Sequence, residues 1–184
     1  MRIIAGSRRG KKLLEPQDGA TRPTSDRARE SIFNILAHQK WVNADRPLPM
    51  GARVLDLACG TGALAAEALS RGAAFALLYD NHAPALKIAA ENVAVFDAAK
   101  VEYADLKNLP VSAQPFDLIF CDPPYGQGLA EAALKQLAEK GYLHENSLVM
   151  VETGATEKLD VPEGFRLLDQ RRYGAALMHF LISQ

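Results

Sequence analysis

Asp122-Pro123-Pro124-Tyr125 gathers a carboxylate, two rigid residues and an aromatic ring in four positions. That set suits the alkylation of a planar exocyclic amine on a nucleobase. Such an amine is a poor nucleophile, because its lone pair is delocalised into the ring. It must be held by acceptors that take its N–H protons while its lone pair faces the donor carbon. Asp122 offers a carboxylate, and Pro123 a backbone carbonyl whose direction proline geometry fixes. Pro124 stiffens the next bond, and Tyr125 offers a face on which a base can stack. Proximity and alignment would supply most of the rate, with little need for a strong base. The same residues also suit a plain turn closing a strand.

The preceding residues, Phe116-Asp117-Leu118-Ile119-Phe120-Cys121, read as a strand buried on both faces. Two prolines stop it, since neither can donate to a β ladder. In an open α/β sheet, ligands bind at the carboxyl ends of strands, which is where Asp122–Tyr125 would fall.

A second motif stands upstream, in Arg53-Val54-Leu55-Asp56-Leu57-Ala58-Cys59-Gly60-Thr61-Gly62-Ala63-Leu64. It reads as strand, glycine turn and helix, the helix continuing over 64–70. Gly60 and Gly62 permit a tight turn and close approach of a ligand. The dinucleotide pattern wants a third glycine where Ala65 stands. Asp56 would repel a pyrophosphate but suits the amino group of an amino-acid-like ligand. The next strand, 75–79, ends at Asp80, about twenty residues past the turn, where an acid accepts from ribose hydroxyls. Asp80 could equally cap the helix expected over 83–96. A third strand, 101–103, leads to Asp105, placed to face an adenine amine. These features together describe a nucleoside bearing an amino acid, S-adenosylmethionine, and no phosphate-binding Gly-x-x-x-x-Gly-Lys loop is present.

The chain has 184 residues, 48% hydrophobic and 23% charged, as expected of a soluble globular domain. No apolar run approaches the roughly 20 residues of a membrane span. Met1-Arg2-Ile3-Ile4-Ala5-Gly6 lacks a signal-peptide pattern, so a cytoplasmic protein is expected. Cys59 and Cys121 read as reduced, buried small hydrophobes, and the four scattered histidines suggest no metal site. Charge is uneven. Residues 1–29 carry a net +5 and the remainder −6. A basic arm on an acidic body suggests a polyanion contact confined to one end, or a solvated tail.

That arm reads as two short strands, 2–5 and 12–14, around a tip rich in arginine and glycine. A helix follows, capped by Thr24, Ser25 or Asp26 and apolar at Ala28, Ile32, Ile35 and Leu36. Arg22, Arg27 and Arg29 lie at its start, where they could add phosphate donors to a helix N-terminus. Later stretches read as a helix over 129–140 and closing strands over 147–152, 165–169 and 176–182. Glu152 ends one of these strands and has a structural reading. Trp41 reads as a core or edge anchor.

The glycine motif, Asp80, Asp105 and Asp122–Tyr125 resemble the class I S-adenosylmethionine-dependent methyltransferases that modify exocyclic amines. The Arg2–Gly6, Arg9–Leu13 and Arg22–Asn34 segments, with Leu69–Ala73 and Arg172-Tyr173-Gly174, resemble the RsmD family of bacterial 16S ribosomal RNA guanine-N2 methyltransferases. That resemblance implies an α/β, Rossmann-like fold: a seven-stranded, mostly parallel sheet with helices on both faces and an antiparallel last strand. It implies a basic RNA-binding extension over 1–42, a hairpin and helix, packed on a methyltransferase domain over 43–184. Methyl transfer would go to the N2 amine of one guanine of 16S RNA in an assembling 30S particle, by a monomer.

The residues implied are Asp122, Pro123, Pro124 and Tyr125 for catalysis. Asp56, Ala58, Cys59, Gly60, Thr61, Gly62, Asp80, Asn81, Asp105 and Leu106 would bind the cofactor. Arg8, Arg9, Lys11, Arg22 and Arg27 would bind RNA, with Phe33 and Tyr173 as further stacking candidates. Two departures from the family pattern stand out: the shorter Asp80 where relatives often carry Glu, with His82 in place of a second acid, and an uncharged Gly126-Gln127-Gly128 loop where relatives can be more basic. The Asp-Pro-Pro-Tyr motif alone would also admit a DNA adenine methyltransferase, although 184 residues leave little room for a separate recognition region. A non-catalytic ribosome-assembly factor on the same fold is the other alternative.

Overall fold

A computed structural model describes residues 1–16, 26–42 and 47–184. Among these, seven strands form one sheet in the order β3-β2-β1-β4-β5-β7-β6. The strands are β1 (Arg53–Leu57), β2 (Phe75–Asp80), β3 (Ala99–Tyr103), β4 (Leu118–Cys121), β5 (Leu148–Gly154), β6 (Phe165–Tyr173) and β7 (Ala176–Ser183). The helices are α1 (Asp26–His38), α2 (Ala63–Ser70), α3 (Ala83–Val93) and α4 (Leu129–Glu139). Strands β1 to β5 are parallel, and β7 runs antiparallel between β5 and β6. The chain builds outward from β1 to β3, then returns to place β4 on the other side of β1. The strand order therefore reverses between β1 and β4, and a crevice opens at such a point.

The central strands are apolar runs because both faces are covered. Val54, Leu78, Phe120 and Met150 belong to one core cluster, with α1, α2 and α3. Leu55, Leu77, Ile119 and Val149, one residue along each strand, belong to the other, with α4. Helices thus flank both faces, as the resemblance implies. Helix α2 is buried along its whole length, which its Ala/Leu composition allows.

Several boundaries move. Strand β4 begins at Leu118, α3 ends at Val93, and β5 runs two residues beyond Glu152. Strand β6 extends to Tyr173; it is an edge strand with a bulge between Leu167 and Asp169, so its side chains show no clean alternation. The N-terminal arm is held less by strand pairing than expected, with one antiparallel bridge between Arg2 and Lys12. Backbone bonds from Ile3 N–H to Lys11 O (2.9 Å) and from Leu13 N–H to Met1 O (3.1 Å) close the hairpin, and side chains of the main body anchor it. The fully buried Glu67 on α2 accepts from the backbone N–H groups of Ile4 (2.7 Å) and Ala5 (3.0 Å). Asn92 on α3 both accepts from and donates to the backbone of Leu14. Ile3, Leu13 and the α1 residues Ile32, Phe33 and Leu36 share one core cluster with the sheet. Trp41 packs on Phe180, with ring centroids 5.2 Å apart, as an anchor.

Candidate active site

Side chains alternate along a strand with period two. Asp56, Asp80, Asp122 and Glu152 each lie two residues past Val54, Leu78, Phe120 and Met150. All four acids therefore inherit the face that α1 to α3 cover, and they gather at the carboxyl ends of β1, β2, β4 and β5.

The glycine turn follows β1. Its backbone takes the left-handed conformation at alternate residues, Ala58 (φ 54), Gly60 (φ 52) and Gly62 (φ 71). A side chain there is uncommon, so Ala58 carries local backbone strain that the motif alone does not announce. Gly60 faces open space, where a Cβ would meet nothing within 4 Å. Gly62 has the opposite role: a Cβ would lie 2.8 Å from Leu78 Cδ2 and 3.2 Å from Ala89 Cβ, so its absence lets α2 and α3 close on the sheet. Asp80 fixes the turn from β2, accepting the Gly60 N–H at 2.8 Å through one oxygen and the His82 N–H at 2.8 Å through the other. Asp80 is not the cap of α3, whose N-cap is His82 with no side-chain cap bond; it holds the residue before that helix and stands at the cleft. Asp56 accepts the Ala65 N–H at 3.1 Å and is 1% exposed. Burial pushes its carboxyl well above the usual aspartate range, and the charges of Asp122 and Asp80 add to that push against the Ala65 bond.

The Asp122 corner follows β4. Its N–H donates to Leu57 O of β1 at 3.3 Å, so Asp122 sits beside Ala58, the first residue of the turn. Pro123 is buried, Pro124 exposed, and Tyr125 39% exposed. The Tyr125 hydroxyl donates to Glu152 Oε1. The Tyr125 ring lies against Gly154, where a Cβ would come within 3.4 Å of Cδ2. Glu157 staples the following loop to β5, accepting from Gly126 N–H at 3.0 Å and Gly154 N–H at 3.2 Å.

Both motifs open onto one cleft of about 1370 Å³. Asp122, Pro123, Pro124 and Tyr125 line it, as do Asp56, Ala58, Cys59, Gly60, Thr61, Asp80, Asn81, Asp105 and Leu106. Gly62 lies beneath, packed on Leu78. Asp105 accepts the Lys107 N–H at 2.9 Å, which shapes the loop that carries Leu106 to the cleft wall. Cys59 and Cys121 are buried and unbridged, and burial raises both thiols.

The basic residues divide. Arg27 lines the cleft from α1. Arg8 and Arg9 are exposed but do not line it; the Arg8 N–H donates to Ser70 Oγ at 3.0 Å. Ser70 ends α2, whose eight residues rise about 12 Å from the glycine turn. The arginine tip thus sits at the far end of α2. Lys11 is half-buried beside it, and Arg22, with the proposed caps Thr24 and Ser25, lies outside the described residues.

Two expectations fail. Arg29 is no phosphate donor: it is fully buried, bonds Asp26 at 2.9 Å and the Arg2 carbonyl, and stands 3.9 Å from Glu67. Phe33 offers no stacking face, being fully buried edge-on to Phe120 at 5.7 Å, under the Arg71 guanidinium. Tyr173 does reach the cleft, hydrogen-bonded to Ser31 at 2.7 Å. Arg172 and Glu152 also line it, two functional candidates the sequence reading did not assign.

The sheet order, the glycine turn and the acid–proline corner define a Rossmann-like class I methyltransferase fold. The ribosomal protein L11 methylase of Lactobacillus delbrueckii subsp. bulgaricus shares that fold, with a TM-score of 0.61 at 20% identity over 74% of this chain and 72% of that one. The solved structure of yhhF from Escherichia coli matches far more closely, with a TM-score of 0.85 at 32% identity over 100% and 98% of the two chains. A family model described as conserved hypothetical protein 95 matches residues 1–182. Ribosomal RNA small subunit methyltransferase D of Escherichia coli is 36% identical over 156 residues, 83% of this chain and 74% of that protein. Its namesake from Haemophilus influenzae is 33% identical over 184 aligned positions, 95% and 89% of the two. The chain belongs to this family, the RsmD family.

Proposed function

We propose that this chain transfers a methyl group from S-adenosylmethionine to the exocyclic N2 amine of one guanine in 16S ribosomal RNA, acting as a cytoplasmic monomer on an assembling 30S particle. The observation that carries this is the meeting of both motifs in one cleft, with Asp122 beside the glycine turn on adjacent strand ends. The substrate class is supported by the two relatives named ribosomal RNA small subunit methyltransferase D.

The residues fit the methyl donor. Asp56 is a buried carboxylate whose charge is penalised, and a cationic amine beside it would offset that penalty. Asp80 spends one acceptor site of each oxygen on backbone N–H groups, and each oxygen has a second for a ribose hydroxyl. Asp105 and Leu106 would border the adenine, while Ala58, Cys59, Gly60, Thr61, Gly62 and Asn81 shape the floor. When bound, S-adenosylmethionine supplies an electrophilic sulfonium methyl.

The chain's own part is positioning. A base flipped from its stack would rest on Tyr125, whose ring Gly154 and Glu152 hold from behind and at its edge. Asp122 and the Pro123 carbonyl accept the amine's N–H groups and turn its lone pair toward the methyl. Arg27 at the rim would meet phosphate, with Arg8, Arg9, Lys11 and Arg22 extending the contact. Labelled S-adenosylmethionine offered with 30S particles, free 16S RNA and duplex DNA should mark N2-methylguanosine in the RNA. Label appearing as N6-methyladenine in DNA would overturn the reading. Asp122→Ala should abolish transfer while cofactor binding survives.

A further inference from the structure

Glu152 lines the cleft near the end of β5 and is 8% exposed. Cys121 pairs with Val151 across β4 and β5, so Asp122 and Glu152 follow as neighbours on one face. Adjacent strands stand about 4.8 Å apart, which sets two carboxylates side by side on one wall. The Tyr125 hydroxyl bond to Glu152 Oε1 brings that carboxylate to the edge of the proposed stacking ring. A carboxylate has about four acceptor sites, so this bond is compatible with a further donor.

We infer that Glu152 is a specificity-determining residue, accepting the ring N1–H of guanine while Asp122 accepts from the adjacent exocyclic amine; this rests on the guanine reading above. Guanine presents donors at both neighbouring positions. Adenine and cytosine present an amine beside a ring nitrogen that is itself an acceptor. Either would set a lone pair against the Glu152 carboxylate, in a site where an unmet acceptor is costly. A site built to bond a donor rejects the analogue that lacks it. The pair of acids therefore selects the base as well as holding the amine, and it disfavours adenine at the Asp-Pro-Pro-Tyr corner.

The test replaces the base and the acid in turn. Small subunits are reconstituted on RNA carrying, at the methylated nucleotide, either guanine or 2-aminopurine, which keeps the amine but makes ring N1 an acceptor. The wild-type chain should prefer guanine in kcat/KM by a factor on the order of 10 to 100. Glu152→Gln keeps an oxygen for the Tyr125 hydroxyl and adds an amide donor, so the preference should collapse toward one or invert. An unchanged ratio in Glu152→Gln overturns the inference. So does a wild-type chain that uses both bases equally, whether or not the variant folds. A wild-type chain that leaves guanine unmodified removes the proposed activity itself, a separate failure.

Discussion

Replacing Asp56 by asparagine should make the unliganded chain more stable and the liganded one weaker. The asparagine oxygen can still accept from Ala65 N–H, so the turn and the start of α2 keep their bond. What disappears is a negative charge that is 1% exposed and faces two further acids. If the carboxylate holds the donor's amino group, the variant loses a charge-assisted hydrogen bond of about 1.5–3 kcal/mol. At about 1.4 kcal/mol per decade, that is roughly 10- to 140-fold in the dissociation constant, read by calorimetric titration with S-adenosylmethionine at pH 7.

Stability without ligand should move the other way. Burial raises the folded carboxyl above its unfolded value, so the folded chain holds this proton more tightly. Its contribution to stability is complete below about pH 4 and is lost as pH rises through the raised folded value. Asp56→Asn lacks that loss. Denaturation midpoints at pH 5 and pH 8 should therefore fall less steeply with pH in the variant than in the wild type. Equal affinity for S-adenosylmethionine together with parallel pH curves would refute both the amine contact and the cost of the buried charge.

Two further outcomes concern the arm. Glu67→Ala takes from Arg71 the acid it bonds at 2.7 Å, leaves the buried Arg29 with Asp26 as its one acid among the described residues, and frees the Ile4 and Ala5 N–H groups; breaking such a buried pair costs about 3–5 kcal/mol. At about 2–4 °C per kcal/mol for a chain of this size, the melting temperature should drop by roughly 6–20 °C, with rapid hydrogen exchange at Ile4 and Ala5, and a drop under about 2 °C would remove the clamp. Arg8→Ala with Arg9→Ala should weaken RNA binding and lower the slope of log affinity against log salt by about 1.5 to 2, leaving turnover at saturating RNA unchanged because neither residue lines the cleft. An unaltered slope would take the arginine tip out of the RNA contact.

The strand ends were legible because their signals are local. Doubly buried strands read as apolar runs, and glycine or proline marks where each stops. The apolar spacing puts Ala28 and Ile35 on the buried stripe of α1, yet both are only half-buried. Positions 29, 32, 33 and 36, spaced i, i+3, i+4 and i+7, are the ones that α1 buries, with Arg29 at their head. Arg27, two residues away and so about 200° around the helix, reaches the cleft instead. Glu67 carried a signal too: a lone acid in a helix otherwise made of Ala, Leu and Ser must be buried, and so must be paired. Its partners are the arm's backbone and two arginines, contacts 62 to 63 residues distant in sequence for the arm, and no local pattern reports them. Edge strand β6 was legible only over 165–169, because exposure on both sides removes the alternation that would have carried it on to Tyr173.

Parity explains why acids spread over nearly a hundred residues make one site. A one-residue slip of β4 against β1 would send Asp122 to the α4 face, among Ile119's neighbours, and would bring Cys121 to the glycine turn. Register is held against that slip by apolar side chains on both faces, since moving β4 would exchange Phe120 and Ile119 between two differently shaped cores. Packing far from the cleft therefore fixes which wall each carboxylate joins. The strands' last residues are then free to be acidic, because only there does the covering layer of helices give way to the cleft. Substitutions within β4 that keep volume but shift register should for that reason harm the site before they harm the fold.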